Sequence, residues 1–264
     1  MASTPVASPM RDVPVRTITD DDLTQSLRDG YKDFLEKRGD LIFIGLLYPL
    51  IGLCVAIAAN GGSILPLLFP MLAGLSLLGP LVSTGFYELA KRRESGLESN
   101  WWHFFDVFKS PSREAIILVG IMLMAIFGAW LVSAGITYAL FFGTEPPATI
   151  GILLSQALTT PQGWAMVLIG NAIGLVFAVI VLATSVVSLP MLIDKRLDAA
   201  TAVRTSLKAF GQNRTVLLRW GLRVGVLLVL GAIPLLLGLA FVLPTLGYAT
   251  WHLYTRLVDQ SAIA

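Results

Sequence analysis

The chain of 264 residues is 55% apolar and only 14% charged, with a net charge of +2 and a mean hydropathy of +0.76. Soluble chains carry about 25% charged residues to wet their surface, so this composition excludes a soluble globular protein and leaves an integral membrane protein. One cysteine, Cys54, excludes an internal disulfide and any cysteine-rich metal or iron–sulfur site.

In chain order, residues 1–19 carry Pro5, Pro9 and Pro14 with few apolar side chains and are expected to form a flexible cytoplasmic tail. Residues 20–264 are expected to form a single integral membrane domain. A helix needs about 20 apolar residues to cross a bilayer, and six runs meet that: Leu41–Ala59, Ile64–Ala90, Ala115–Phe142, Trp164–Pro190, Val216–Leu237 and Leu239–Leu257. Only Leu235–Leu239 around Gly238 is available to turn between the last two, so a re-entrant hairpin is the alternative to two full spans. Pro66, Pro70 and Pro80 are expected to kink the second run.

A short amphipathic helix is predicted before each odd-numbered run. The first is Asp20–Arg38, striped by Leu23, Leu27, Tyr31, Phe34 and Leu35, with Asp20, Asp21 and Asp22 at its positive dipole end and Gly39 closing it. The second is Leu97–Lys109, striped by Leu97, Trp101, Phe104, Phe105 and Phe108 and closed by Ser110-Pro111; Trp102 and His103 lie beside the stripe. The third is Asp198–Phe210, striped by Val203, Leu207 and Phe210 and closed by Gly211. Asp40, Ser112 and Asn213 are positioned to cap the helices that follow. These elements are too short and charged to span a bilayer and suit its interface, with Trp101, Trp102, Phe105, Phe34 and Phe210 as anchors. A weaker stripe (Ile150, Leu153, Leu154, Leu158) is expected to rest on the opposite surface.

All 19 Lys and Arg fall before the first run, between the second and third, between the fourth and fifth, at the start of the fifth or at the end of the sixth. The alternate loops, Asn60–Ser63, Gly143–Gly163 and the turn near Gly238, hold none. Cations are retained inside, which places both termini in the cytoplasm and the chain in a cell membrane.

The stretches GFYELAKRRESG (Gly85–Gly96), PMLIDKRLDAATAVRTSLKAF (Pro190–Phe210) and ATWHLYTRLV (Ala249–Val258) resemble a bacterial, mostly alphaproteobacterial family of predicted integral membrane proteins of unknown function. The resemblance covers the chain from about Thr19 onward and implies a six-helix inner-membrane protein. It brings no known activity or catalytic residue. The layout is similar, more loosely, to the membrane domains attached to bacterial glycerophosphodiesterases.

Ionisable groups inside a span are functional candidates, because a bilayer penalises them. Glu88, Arg219, Arg223 and His252 qualify, and Glu88 is expected to pair with Arg223 or Arg219 with Tyr87 and His252 nearby. The bland reading of such a pair is a lock on helix register, with the arginines reaching lipid phosphates. Asn171 lies mid-span within Gly170-x-x-x-Gly174, a spacing repeated by Gly221 and Gly225 and read as close internal packing. No catalytic motif is present, and two histidines, His103 and His252, fall far short of the about six that a haem–copper oxidase core uses. Neither a cofactor nor a metal is implied, and the spread of basic residues carries no nucleic-acid footprint.

The sequence therefore predicts an all-α polytopic bundle of six spans in three pairs, each preceded by an interfacial amphipathic helix. The expected role is a non-enzymatic accessory or scaffold protein whose cytoplasmic helices engage membrane lipid, anionic lipid above all, or a membrane protein partner. The alternative is a transporter or channel for a small or lipid-like molecule.

Overall fold

The computed structural model describes residues 13–46, 50–54, 57, 64–234 and 236–259. At the start of its first helix, α1 (Asp20–Gly45), Thr19 donates both its backbone N–H and its hydroxyl to the Asp22 carboxylate. This helix was expected to stop at Gly39, with Asp40 capping a new helix. Instead the backbone stays helical through both, since one glycine costs only about 1 kcal/mol in a helix.

The next helical run, α2 (Leu65–Glu94), is interrupted as its prolines predict. Leu65–Leu67 and Ser76–Leu78 are 3-10 turns, and Pro66 and Pro80 stand in the opening positions of their segments, where a missing amide donor costs least. After a left-handed Gly96, the second amphipathic element begins at Trp101 rather than Leu97 and is a 3-10 helix to Lys109. It ends at Ser110, as expected.

Three further helices follow. They are α3 (Arg113–Phe142), α4 (Ile150–Thr159) and α5 (Pro161–Asp194). Gly143, at φ 80°, releases the chain from α3, and the hydroxyls of Thr149 and Thr160 cap α4 and α5. In α4, the apolar stripe is split: Leu153 packs towards Leu65 and Leu68, while Ile150, Leu154 and Leu158 are exposed.

The third amphipathic helix, α6 (Ala199–Gln212), is capped by Asp198 and runs past Gly211. Its buried face is made of Ala202, Thr205, Ser206 and Ala209, while Leu207 is exposed. Small side chains bring Ser206 onto the break in α5 between Ser185 and Ser188. There its hydroxyl accepts from Val187 N–H (3.2 Å) and donates to the Ala183 carbonyl (2.8 Å), entering the ladder bond those two groups would otherwise share.

A tight hairpin joins α7 (Arg214–Ala232) to α8 (Leu239–Leu257). A Cβ on Gly238 would lie 2.7 Å from the Gly231 carbonyl oxygen, so this turn requires its glycine. The most extensive helix contact is between α8 and α1, at the two ends of the chain. Gly30 makes it possible, because a Cβ there would meet the Ala249 backbone at 2.4 Å.

Among the described residues four helices are long and apolar enough to cross a membrane: α2, α3, α5 and α7. Six were expected. The first apolar run falls largely outside the described residues. The sixth is α8, a 19-residue helix mostly buried against its neighbours, with Phe241 exposed, and too polar to count with the four. The long helices expose large apolar side chains in rows, including Leu118, Ile121, Leu140, Leu168, Leu175, Leu222 and Val229, as lipid contact demands. The dense core lies at one end of the bundle, where Phe86, Leu89, Met191, Leu217, Trp220, Trp251 and Leu257 interlock beneath α1, α6 and the 3-10 helix.

Candidate functional site

The ends of α2, α3, α5 and α7 that carry Lys and Arg meet at this packed end. Lys91 donates to the Ile193 carbonyl (2.7 Å) and Ser112 to the Lys195 carbonyl (3.1 Å). Ser112 thus clamps two chain segments and makes no side-chain cap for α3. Asn213 departs from its expected capping role in the same way. Its amide donates to the Arg16 carbonyl and its Oδ1 accepts from Ile18 N–H, which holds the segment before α1. The residues expected as a flexible tail therefore pack from Val13 to Ile18, with both those side chains buried; residues 1–12 lie outside the described part. Val15 forms an antiparallel bridge with Val258, and Arg16 pairs with Asp259 at 3.0 Å.

A polar cluster ties α1, α2 and α8 together. His252 Nε2 donates to Asp33 at 2.7 Å, and its Nδ1 stands 3.7 Å from Glu94. Arg93 reaches Asp33 (3.3 Å) and Glu36. One turn beyond His252, Arg256 reaches Asp29 (2.7 Å), Ser26 (3.1 Å) and the His252 carbonyl (3.0 Å). Burial opposes ionisation of Asp29, but the Arg256 guanidinium outweighs it and holds the carboxyl below its ordinary value. Each carboxylate here faces a cation or imidazole, so the cluster is closed on itself.

A second cluster belongs to the 3-10 helix. Asp106 bonds Lys109 (2.7 Å) and His103 (2.6 Å) and lies 3.5 Å from Arg92. The bonds from Lys109 and His103 hold its carboxyl below the usual range. Next to it Trp101 and Trp102 stack at 3.6 Å. Trp102 (66% exposed), Phe105 (41%) and Phe108 (73%) form an uncovered aromatic row with Leu97.

The expected pairing of Glu88 with Arg219 or Arg223 does not form. Glu88 lies on the side of α2 that carries Lys91 and Arg92, near the 3-10 helix. Arg219 pairs with Asp20, and Arg223 bonds Thr24 at 3.2 Å. The helix faces decide this: α7 turns its arginines to the start of α1, whose aspartates do more than favour the dipole. Tyr87 is buried, with its hydroxyl meeting Ser83 and Thr250. Only His252 among the expected site residues sits in the polar cluster.

Of the expected anchors, Trp102 and Phe105 are exposed and Trp101 and Phe210 are half-buried. Phe34 is 2% exposed, edge-on to Phe241 at 6.0 Å, so it is a core residue. The sequence reading passed over Asp29, Asp33, Glu36, Arg93 and Arg256. Their signal was present in the 3-4-3 spacing of Ser26, Asp29, Asp33 and Glu36 on one face of α1, matched by His252 and Arg256 four apart on α8. Among the described residues no group of three His, Cys, Asp or Glu is arranged to hold a metal ion.

Residues 68–194, just under half of the chain, match a family described as "Predicted integral membrane protein (DUF2189)". The match covers most of α2, all of α3 and α4, and α5 to its end. This chain is an integral membrane protein. No curated protein and no solved structure matches it. The matched part of the membrane protein includes the aromatic row, the Asp106 cluster and the α2 members of the His252 cluster, Arg93 and Glu94, whereas that cluster's residues on α1 and α8 lie beyond it.

Proposed function

We propose that this protein is a non-enzymatic accessory or scaffold protein of a bacterial inner membrane, with both termini in the cytoplasm. Its chain threads the membrane up to six times in three pairs, and its cytoplasmic collar binds anionic lipid and offers the same surface to a membrane partner. The observation that carries this reading is the aromatic row Trp102, Phe105 and Phe108, left uncovered beside Lys109 and Arg113, both exposed. Indole and phenyl rings favour the interfacial depth, and cations at that level meet phosphates, each worth about 1 kcal/mol. The closed ion pairs around His252 support a structural task for that cluster. The alternative transport reading draws only on the broken α2. A nearby apolar cavity lined by Leu72, Leu228 and Leu243 is about 30 Å³, room for a single water, and lends it no support.

The test is lipid retention in nanodiscs of mixed phosphatidylglycerol and phosphatidylcholine, read by native mass spectrometry. The wild type should retain phosphatidylglycerol preferentially. A Lys109→Gln, Arg113→Gln double variant should lower that preference by about fivefold or more, and Trp102→Ala should weaken retention of either lipid. Equal retention of both lipids by the wild type refutes the reading.

A further inference from the structure

Asn171 lies ten residues into α5, about 15 Å along its axis and so near the centre of a hydrocarbon core about 30 Å thick. Its side chain is exposed. One amide N–H donates back to the Val167 carbonyl at 2.8 Å. Among the described residues the second N–H and Oδ1 have no partner. Half-buried hydroxyls in the long helices settle this locally: Ser133 donates to the Ala129 carbonyl and Thr184 to that of Ile180, each at 2.8 Å. A hydroxyl has a single proton to place, whereas a carboxamide keeps a donor and an acceptor that acyl chains cannot satisfy.

Asn171 lies on a broad exposed face that includes Ile169, Ala172, Val176 and Ile180, and within it Trp164, Leu168, Asn171, Leu175 and Ala178 form one row at alternating spacings of four and three. That is the seam of a left-handed helix pair with one amide at its middle. The expected internal packing of this region holds only in part. A Cβ on Gly174 would meet Trp130 at 2.9 Å, but one on Gly170 would meet nothing within 4 Å.

We infer that α5 is a homodimer interface, the occupant of its outer face being α5 of a second copy, with Asn171 paired to Asn171 near a two-fold axis. The amide is self-complementary. Each copy supplies the acceptor for the other's free N–H, and a two-fold axis makes both bonds at once.

Disulfide cross-linking in native membranes tests this. In a Cys54→Ser background, Leu168→Cys or Leu175→Cys should give an adduct of twice the 28.5 kDa chain mass. Val229→Cys, exposed on α7, is the control and should give far less. Adding Asn171→Leu should lower the dimer fraction about three- to thirtyfold, while Asn171→Gln should retain it. Equal cross-linking from seam and control positions, an adduct of another mass, or no response to Asn171→Leu overturns the proposal.

Discussion

Ser206 gives one hydroxyl to two backbone groups that α5 leaves apart, and it does so with no exposure to solvent. Removing that oxygen strands a buried N–H and a buried carbonyl, so Ser206→Ala should cost about 1–3 kcal/mol, read as a lowered thermal midpoint of the protein in mild detergent. An unchanged midpoint would mean that α5 closes its own ladder. This role was invisible in the sequence, where Ser206 is one small residue beside the stripe of Val203 and Leu207. Its partners lie about 20 residues upstream, at a break that Pro190 marks but that nothing in the sequence connects to Ser206. Asp198 was legible for the opposite reason. A cap acts on the amide three residues on, so the helix start expected at Asp198 coincides with its cap, whereas Ser112 and Asn213, expected as caps, are drawn off to other segments.

At the level of elements, α1 is held to α8 by Gly30 and by charges that face each other across the contact. The Asp29–Arg256 pair sets a pH dependence whose sign follows from the depressed Asp29 value. A carboxyl that is more acidic folded than unfolded contributes stability above its ordinary value near 4 and loses it as pH falls through the lower folded value. Asp29→Asn should therefore destabilise by about 1 kcal/mol at pH 7, and the gap from wild type should narrow as pH falls below the ordinary carboxyl value and close once it is below the lowered folded one. A gap that persists in acid would assign the loss to packing. The apolar periodicity located the helices well, because burial against lipid or core imposes it on every turn. It could not fix their rotation. Glu88, Arg219 and Arg223 were expected to pair, but which face meets α1 depends on contacts between helices far apart in the chain. Gly39 misled in a simpler way, since a single glycine costs a helix only about 1 kcal/mol and does not by itself end it.

For the whole molecule, the uneven distribution of lysine and arginine becomes geometry: those borne by the ends of α2, α3, α5 and α7 converge on the packed end, while Gly143–Gly163 at the other end holds none. The proposed sidedness predicts that Pro146→Cys, in a Cys54→Ser background, reacts with an impermeant maleimide on intact cells, and that Arg92→Cys reacts only after permeabilisation. The reverse pattern would invert the threading. The bridge between Val15 and Val258, with α1 laid along α8, joins segments separated by every intervening span. Translation delivers α1 first and α8 last, so throughout synthesis the acidic face of α1, with Leu23 and Phe34, waits unsheltered. Synthesis of α8 thus closes this contact, and a stalled or clipped product without Leu239–Leu257 keeps α1 open to chaperones and proteases.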